Sequence, residues 1–179
     1  MLDLIDNTSK DYFKFAFVRN PWDRCVSFYH FIRDRQIQQR TEGYRGTSFH
    51  EFIRSPSPPY KKGDNLKFVL GATWAKHSPT LYNLYTSSHP LENQVDWLLD
   101  EDGKMLADFV GKVERLQEDF DIVCDRLGFR RIKVGHDNKT PRSRKHYSEY
   151  YSEATRQIVA ERYARDIEAF GYTFESSSH

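Results

Sequence analysis

The stretch Phe13-Lys14-Phe15-Ala16-Phe17-Val18-Arg19-Asn20-Pro21-Trp22-Asp23-Arg24-Cys25-Val26-Ser27-Phe28-Tyr29 changes period halfway along, and that change decides the fold class. Phe13 to Val18 is short, aromatic and β-branched, and it stops at Arg19-Asn20-Pro21, which reads as a strand ending at a turn. A helix begins at once. Asn20 suits the N-cap, Pro21 the first helical position, and Asp23 places negative charge in the first turn, where the helix dipole favours it. Trp22, Cys25, Val26, Tyr29 and Ile32 then recur at spacings of three and four and form one apolar stripe. The spacing predicts a helix over 21–36.

A strand that runs straight into a capped helix is suited to anions, because free backbone N–H groups and the positive end of the dipole point the same way. Here the turn also carries Arg19. Ser27 lies seven residues beyond Asn20, roughly 10 Å along a helix axis, so a phosphate touching both Arg19 and Ser27 must lie along the helix flank. The planar guanidinium fork matches phosphate oxygens, and serine adds a small donor without crowding. The bland readings are a solvated Arg19 pairing with Asp23 and an idle Ser27 on a helix face.

Further along, residues 37–63 are rich in Gln, Arg, Gly, Ser and Pro, and read as a mobile excursion with a short helical piece near Phe49 to Arg54. A helix through Leu66, Phe68, Val69 and Leu70 fits the mixed pattern after it. Val95 to Leu99 and Leu106 to Val113 flank Asp100-Glu101-Asp102-Gly103, which suggests two extended segments joined by a turn, the second a core strand. Leu116, Phe120, Val123, Cys124 and Leu127 mark an amphipathic helix closed by Gly128. A basic loop over 130–146 follows. Ile158, Val159, Tyr163, Ile167 and Phe170 mark a last helix that ends before Gly171. Strands alternating with helices argue for an α/β layer fold.

The bulk properties narrow the function classes. With 179 residues, 38% hydrophobic and 30% charged, the chain fits one globular domain, 1–179. Its 27 basic and 26 acidic residues leave a net charge of +1, which gives no long-range pull towards nucleic acid or an anionic membrane. Any anion site must be local. Cys25 and Cys124 show no metal or C-x-x-C spacing, and the histidines no zinc spacing, so no metal site is expected and a reduced, cytoplasmic setting is the simplest account. No apolar run approaches the roughly 18 residues needed to span a bilayer, and residues 1–6 lack the features of a signal peptide. Asn7-Thr8-Ser9 and Asn138-Lys139-Thr140 match the glycosylation sequon, which without a secretory signal carries little weight.

Phe17 to Tyr29 resembles the 3'-phosphate-binding motif of the carbohydrate (family 2) sulfotransferases, through Arg, Pro, Asp-Arg and Ser together at these spacings. Those enzymes use 3'-phosphoadenosine 5'-phosphosulfate, PAPS. The likeness continues through Asp108 to Phe120, through His136 to Thr140 with Tyr147, Tyr150 and Tyr151, and through Ala164 to Tyr172, covering most of 12–174 and weakly 37–90. It implies a three-layer, P-loop-like fold in which Arg19 and Ser27 hold the 3'-phosphate of PAPS or of adenosine 3',5'-bisphosphate. By analogy the 136–145 loop closes over the nucleotide, with Lys139 and Thr140 as contacts. The implied partners are a nucleotide sulfate donor and a carbohydrate acceptor, with no nucleic acid.

One departure from the family shapes the expectations. The dozen residues before the Phe13 strand hold neither a Gly-rich loop nor a Lys-Thr pair followed by a helix, so the expected fold is partial, without the 5'-phosphosulfate loop. The usual base lies between that loop and the motif, so no catalytic residue is nominated. Missing elements would also leave an apolar face that favours self-association. Three readings therefore stand: a sulfotransferase, a non-catalytic 3'-phosphonucleotide-binding or interaction module derived from one, and an inherited scaffold without a ligand.

Overall fold

A computed structural model of the chain describes residues 12–39, 48–54, 92–135 and 145–176. They form two compact units. The first comprises the described parts of Met1–Asn20, Asn93–Lys145 and Arg165–Thr173, and the second those of Pro21–Glu92, His146–Ala164 and Phe174–His179.

In the first unit β1, Phe15–Val18, pairs in parallel with β2, Phe109–Lys112, in the register Phe15↔Phe109 to Val18↔Lys112. The start of the ladder is clasped by side chain and backbone together. The Lys14 amide donates to Asp108 Oδ2 at 2.8 Å, and the Asp108 amide to the Lys14 carbonyl at 2.7 Å. The sequence suggested two extended segments, 95–99 and 106–113, joined by a turn. Only a single antiparallel bridge, Leu99↔Met105, joins those segments, and Val95–Trp97 is a 3₁₀ turn. The strand at 109–112 takes β1 as its partner instead, because β1 offers it a matching aromatic and aliphatic edge from 94 residues away.

A 3₁₀ turn, Val113–Arg115, leads from β2 into α3, Leu116–Leu127. Val123 and Cys124 are the buried apolar residues of α3, and Phe17 packs against Phe120 with ring centroids 6.5 Å apart. As the sequence predicts, α3 ends at Gly128, whose φ of 68° is the left-handed value that glycine adopts without strain. Gly111 answers to a different need. A Cβ there would lie 2.5 Å from the Phe17 ring and 3.0 Å from Asp119 Cβ, so the close approach of β1, β2 and α3 requires its absence.

The second unit is built on α1, Pro21–Gln39, which runs three residues past the predicted end, and on α2, Phe49–Arg54. Trp22, Cys25, Val26 and Tyr29 of the predicted stripe are all buried. They face α2, α4 (Glu153–Arg162) and a 3₁₀ turn at Tyr147–Tyr150. Aromatic edges fill this core: Tyr29, Phe49, Phe52, Tyr150 and Tyr151 meet with centroids 4.9 to 5.6 Å apart along the chain of contacts. Ser152 caps α4 by accepting the Thr155 amide.

The predicted last helix is two. The helix α4 stops at Arg162, Tyr163 is only 1% exposed with φ −112° and ψ 27°, and α5 follows over Ala164–Phe170. Gly171, at φ 62°, closes α5 as expected. Among the described residues no helix is long and apolar enough to cross a membrane, and no group of three or more His, Cys, Asp or Glu is placed to hold a metal ion. Most of the 37–63 excursion and the 66–70 helix lie outside the described residues.

Candidate functional site

Arg19 is the first residue past β1 and is half-buried. Its backbone is gripped by one side chain. The Arg19 amide donates to Gln94 Oε1 at 2.9 Å, and Gln94 Nε2 donates back to the Arg19 carbonyl at 2.8 Å. Gln94 Nε2 also reaches Asp166 Oδ2 at 3.1 Å, and Asp166 Oδ1 accepts the Val95 amide at 2.8 Å. Asp166 is fully buried on α5, with its own amide on Asn93 Oδ1 at 3.4 Å.

The next residue is held the same way by a different element. The Asn20 amide donates to Glu114 Oε1 at 2.6 Å, and Asn20 Nδ2 donates to the Thr173 carbonyl at 3.1 Å. Glu114 Oε2 receives a long bond, 3.4 Å, from the Tyr172 hydroxyl. Burial, followed by the neighbouring Glu114 charge and hydrogen bond, pushes the Tyr172 hydroxyl well above the usual phenol range. Lys112 Nζ stands 4.6 Å from the Tyr172 ring centroid, a cation–π distance. The amides of Arg19 and Asn20 therefore already have carbonyl or carboxylate partners, so at these two residues an anion would be met by side chains.

In the second unit Ser27 sits in α1, half-buried, beyond the buried positions Trp22, Cys25 and Val26. Arg24 makes contacts within its own unit: Nη1 donates to the Glu92 carbonyl at 2.8 Å, and the guanidinium lies 5.7 Å from the Tyr163 ring centroid. Tyr151 donates its hydroxyl to the Trp22 carbonyl at 2.9 Å, and Tyr147 accepts the Glu175 amide at 2.7 Å. Two of the three tyrosines named in the sequence are thus tied into the framework. Tyr150 meets His30 Nε2 at 2.9 Å. Burial pushes the Cys25 thiol up to about 11, against hydrogen bonds and charges from Tyr163, Arg24 and Arg162 that lower it.

Lys139 and Thr140 lie outside the described residues. Arg19 and Ser27 are placed, each within its own unit. The residues missed by sequence reading are Gln94 and Glu114, which hold the turn from 75 and 94 positions away, and Asp166, which holds Gln94 from 72 positions away; none carries a local signal of that role.

A parallel strand pair, a turn bearing an arginine and a long helix starting two residues later define a mixed α/β protein of the parallel-sheet class. The chain belongs to the sulfotransferase family, whose family 2 model matches residues 2–173. Sulfuryl transfer is the general chemistry of that family. Comparison with curated proteins finds no match, and neither does comparison with solved structures.

Proposed function

We propose that this chain carries the nucleotide-gripping part of a sulfotransferase that moves a sulfuryl group from PAPS to a hydroxyl of a carbohydrate, on a three-layer, P-loop-like fold. One observation supports it above the rest. The motif from Phe17 to Tyr29 lies on a strand, turn and helix inside a family match that spans nearly the whole chain. In this reading Arg19 and Ser27 hold the 3'-phosphate, and Lys139 and Thr140 of the basic loop contact the nucleotide.

The residues at the turn fit a phosphate held by side chains. A guanidinium supplies two parallel donors to phosphate oxygens at whatever point its stem reaches, whereas the turn amides are committed to Gln94 and Glu114. The donor brings the sulfuryl group. The chain's own residues bind and orient the nucleotide end of it.

The test pairs binding with turnover. Calorimetry with adenosine 3',5'-bisphosphate should show binding that Arg19→Ala weakens, and labelled PAPS with a panel of oligosaccharides reads whether transfer accompanies it. Binding without transfer would favour the non-catalytic nucleotide-binding module, and no binding at all would remove the nucleotide reading.

A further inference from the structure

Building on the reading of Arg19 as the 3'-phosphate ligand, we infer that Gln94, with its amide oriented by Asp166, is the positioning residue for Arg19. The register of the sheet ends at Val18↔Lys112, so the ladder releases the backbone at residue 19. A guanidinium on a long stem can meet a phosphate reproducibly only if the stem's origin is fixed. Gln94 fixes it. Its carboxamide accepts from the Arg19 N–H at 2.9 Å and donates to the Arg19 carbonyl at 2.8 Å, doing for one residue what a neighbouring strand does for several.

A carboxamide can turn over, and reversed it would set donor against donor and acceptor against acceptor at Arg19. Asp166 removes that choice. Its Oδ2 only accepts and takes Nε2 of Gln94 at 3.1 Å, while its Oδ1 takes the amide of the adjacent Val95 at 2.8 Å. One fully buried carboxylate thereby holds Gln94 by its side chain and by the backbone next to it. Such a group is costly to bury unless its bonds are made, so its place behind Gln94 ties the arrangement of the turn to the packing of α5.

The experiment is a double-mutant cycle read by calorimetry with adenosine 3',5'-bisphosphate, with adenosine 5'-phosphate as the ligand lacking the 3' group. Gln94→Met should weaken the bisphosphate about tenfold, the scale of one lost hydrogen-bonding arrangement. Adenosine 5'-phosphate should bind the wild type and Gln94→Met alike, which a merely structural role would not produce. In the Arg19→Ala background the same substitution should change bisphosphate binding less than about twofold, because the residue it positions is gone. Should Gln94→Met fail to melt cooperatively, Asp166→Asn replaces it in the cycle: it keeps an acceptor for Val95 and turns a donor towards Nε2, with the same expected pattern. Equal losses in both backgrounds, or no loss, overturn the inference while leaving Arg19 as a ligand. If Arg19→Ala itself does not weaken binding, the reading of Arg19 falls and the inference with it.

Discussion

The backbone N–H of Asn20 donates to Glu114 Oε1 at 2.6 Å, binding the residue before α1 to the 3₁₀ turn that follows β2. A carboxylate there fills the place that an incoming anion would otherwise take at the amide. Glu114 is exposed overall, so water competes for it, and Glu114→Ala should cost about 1 kcal/mol of stability. Glu114→Gln, which keeps an acceptor oxygen, should cost less. Urea unfolding of the three proteins checks the order, and a Glu114→Ala protein as stable as the wild type would show that this bond contributes nothing net.

Local chemistry made some of this structure readable in advance. The helices at 21 and 116 were legible because an N-terminal proline, an apolar stripe and a C-terminal glycine all act within a few residues. The partner of β2 was not, since alternation marks a strand without saying which edge it joins, and β1 lies 94 residues back. The break at Tyr163 was hidden too: a buried tyrosine keeps the apolar period of 158–170 running past the end of α4. At the site, Arg19 and Ser27 stood out because the motif is contiguous. Gln94 and Asp166 did not, as each is a single polar residue whose meaning comes from a bond across the fold.

Gly111 should be the least replaceable glycine among the described residues. A methyl group there meets the Phe17 ring at 2.5 Å and Asp119 Cβ at 3.0 Å, and Asp119 is anchored through its 2.6 Å bond from the Lys112 amide. The strands and α3 would have to part. Gly111→Ala should destabilise the protein by about 1–3 kcal/mol, the usual scale of overpacking. A fall in the urea midpoint with unchanged slope is the expected result; an unchanged midpoint would mean that the Phe17 ring swings aside freely.

Alkaline pH should expose the burial of Cys25. Its thiol rises from 9.0 to about 11 in the folded protein, so the folded state holds this proton more tightly than the unfolded chain does. The stability this brings is complete below about pH 9 and is lost as pH climbs towards 11, at about 1.4 kcal/mol per pH unit within that window. Tyr151, Tyr163 and Tyr172, all raised first by burial, steepen the loss above about pH 10. Cys25→Ala should flatten the portion that begins near pH 9 and leave the tyrosine portion. Identical pH profiles for the two proteins would remove Cys25 from the account.

The functional expectation is sharpest at Arg19 and Ser27. A charge-assisted bond to phosphate is worth about 1.5–3 kcal/mol and a neutral one about 0.5–1.5, so Arg19→Ala should weaken adenosine 3',5'-bisphosphate roughly 10- to 150-fold and Ser27→Ala only about 2- to 12-fold. Adenosine 5'-phosphate, which lacks the 3' group, should bind the wild type and both variants alike. Arg19→Ala keeps both backbone bonds to Gln94, since these use the peptide groups of residue 19. Cooperative melting should therefore survive, and a binding loss can be assigned to the guanidinium. Calorimetry with both nucleotides, beside thermal melting, separates the cases. Parallel losses for the two nucleotides would point to a distorted site, and unchanged affinities would take the 3'-phosphate away from this turn.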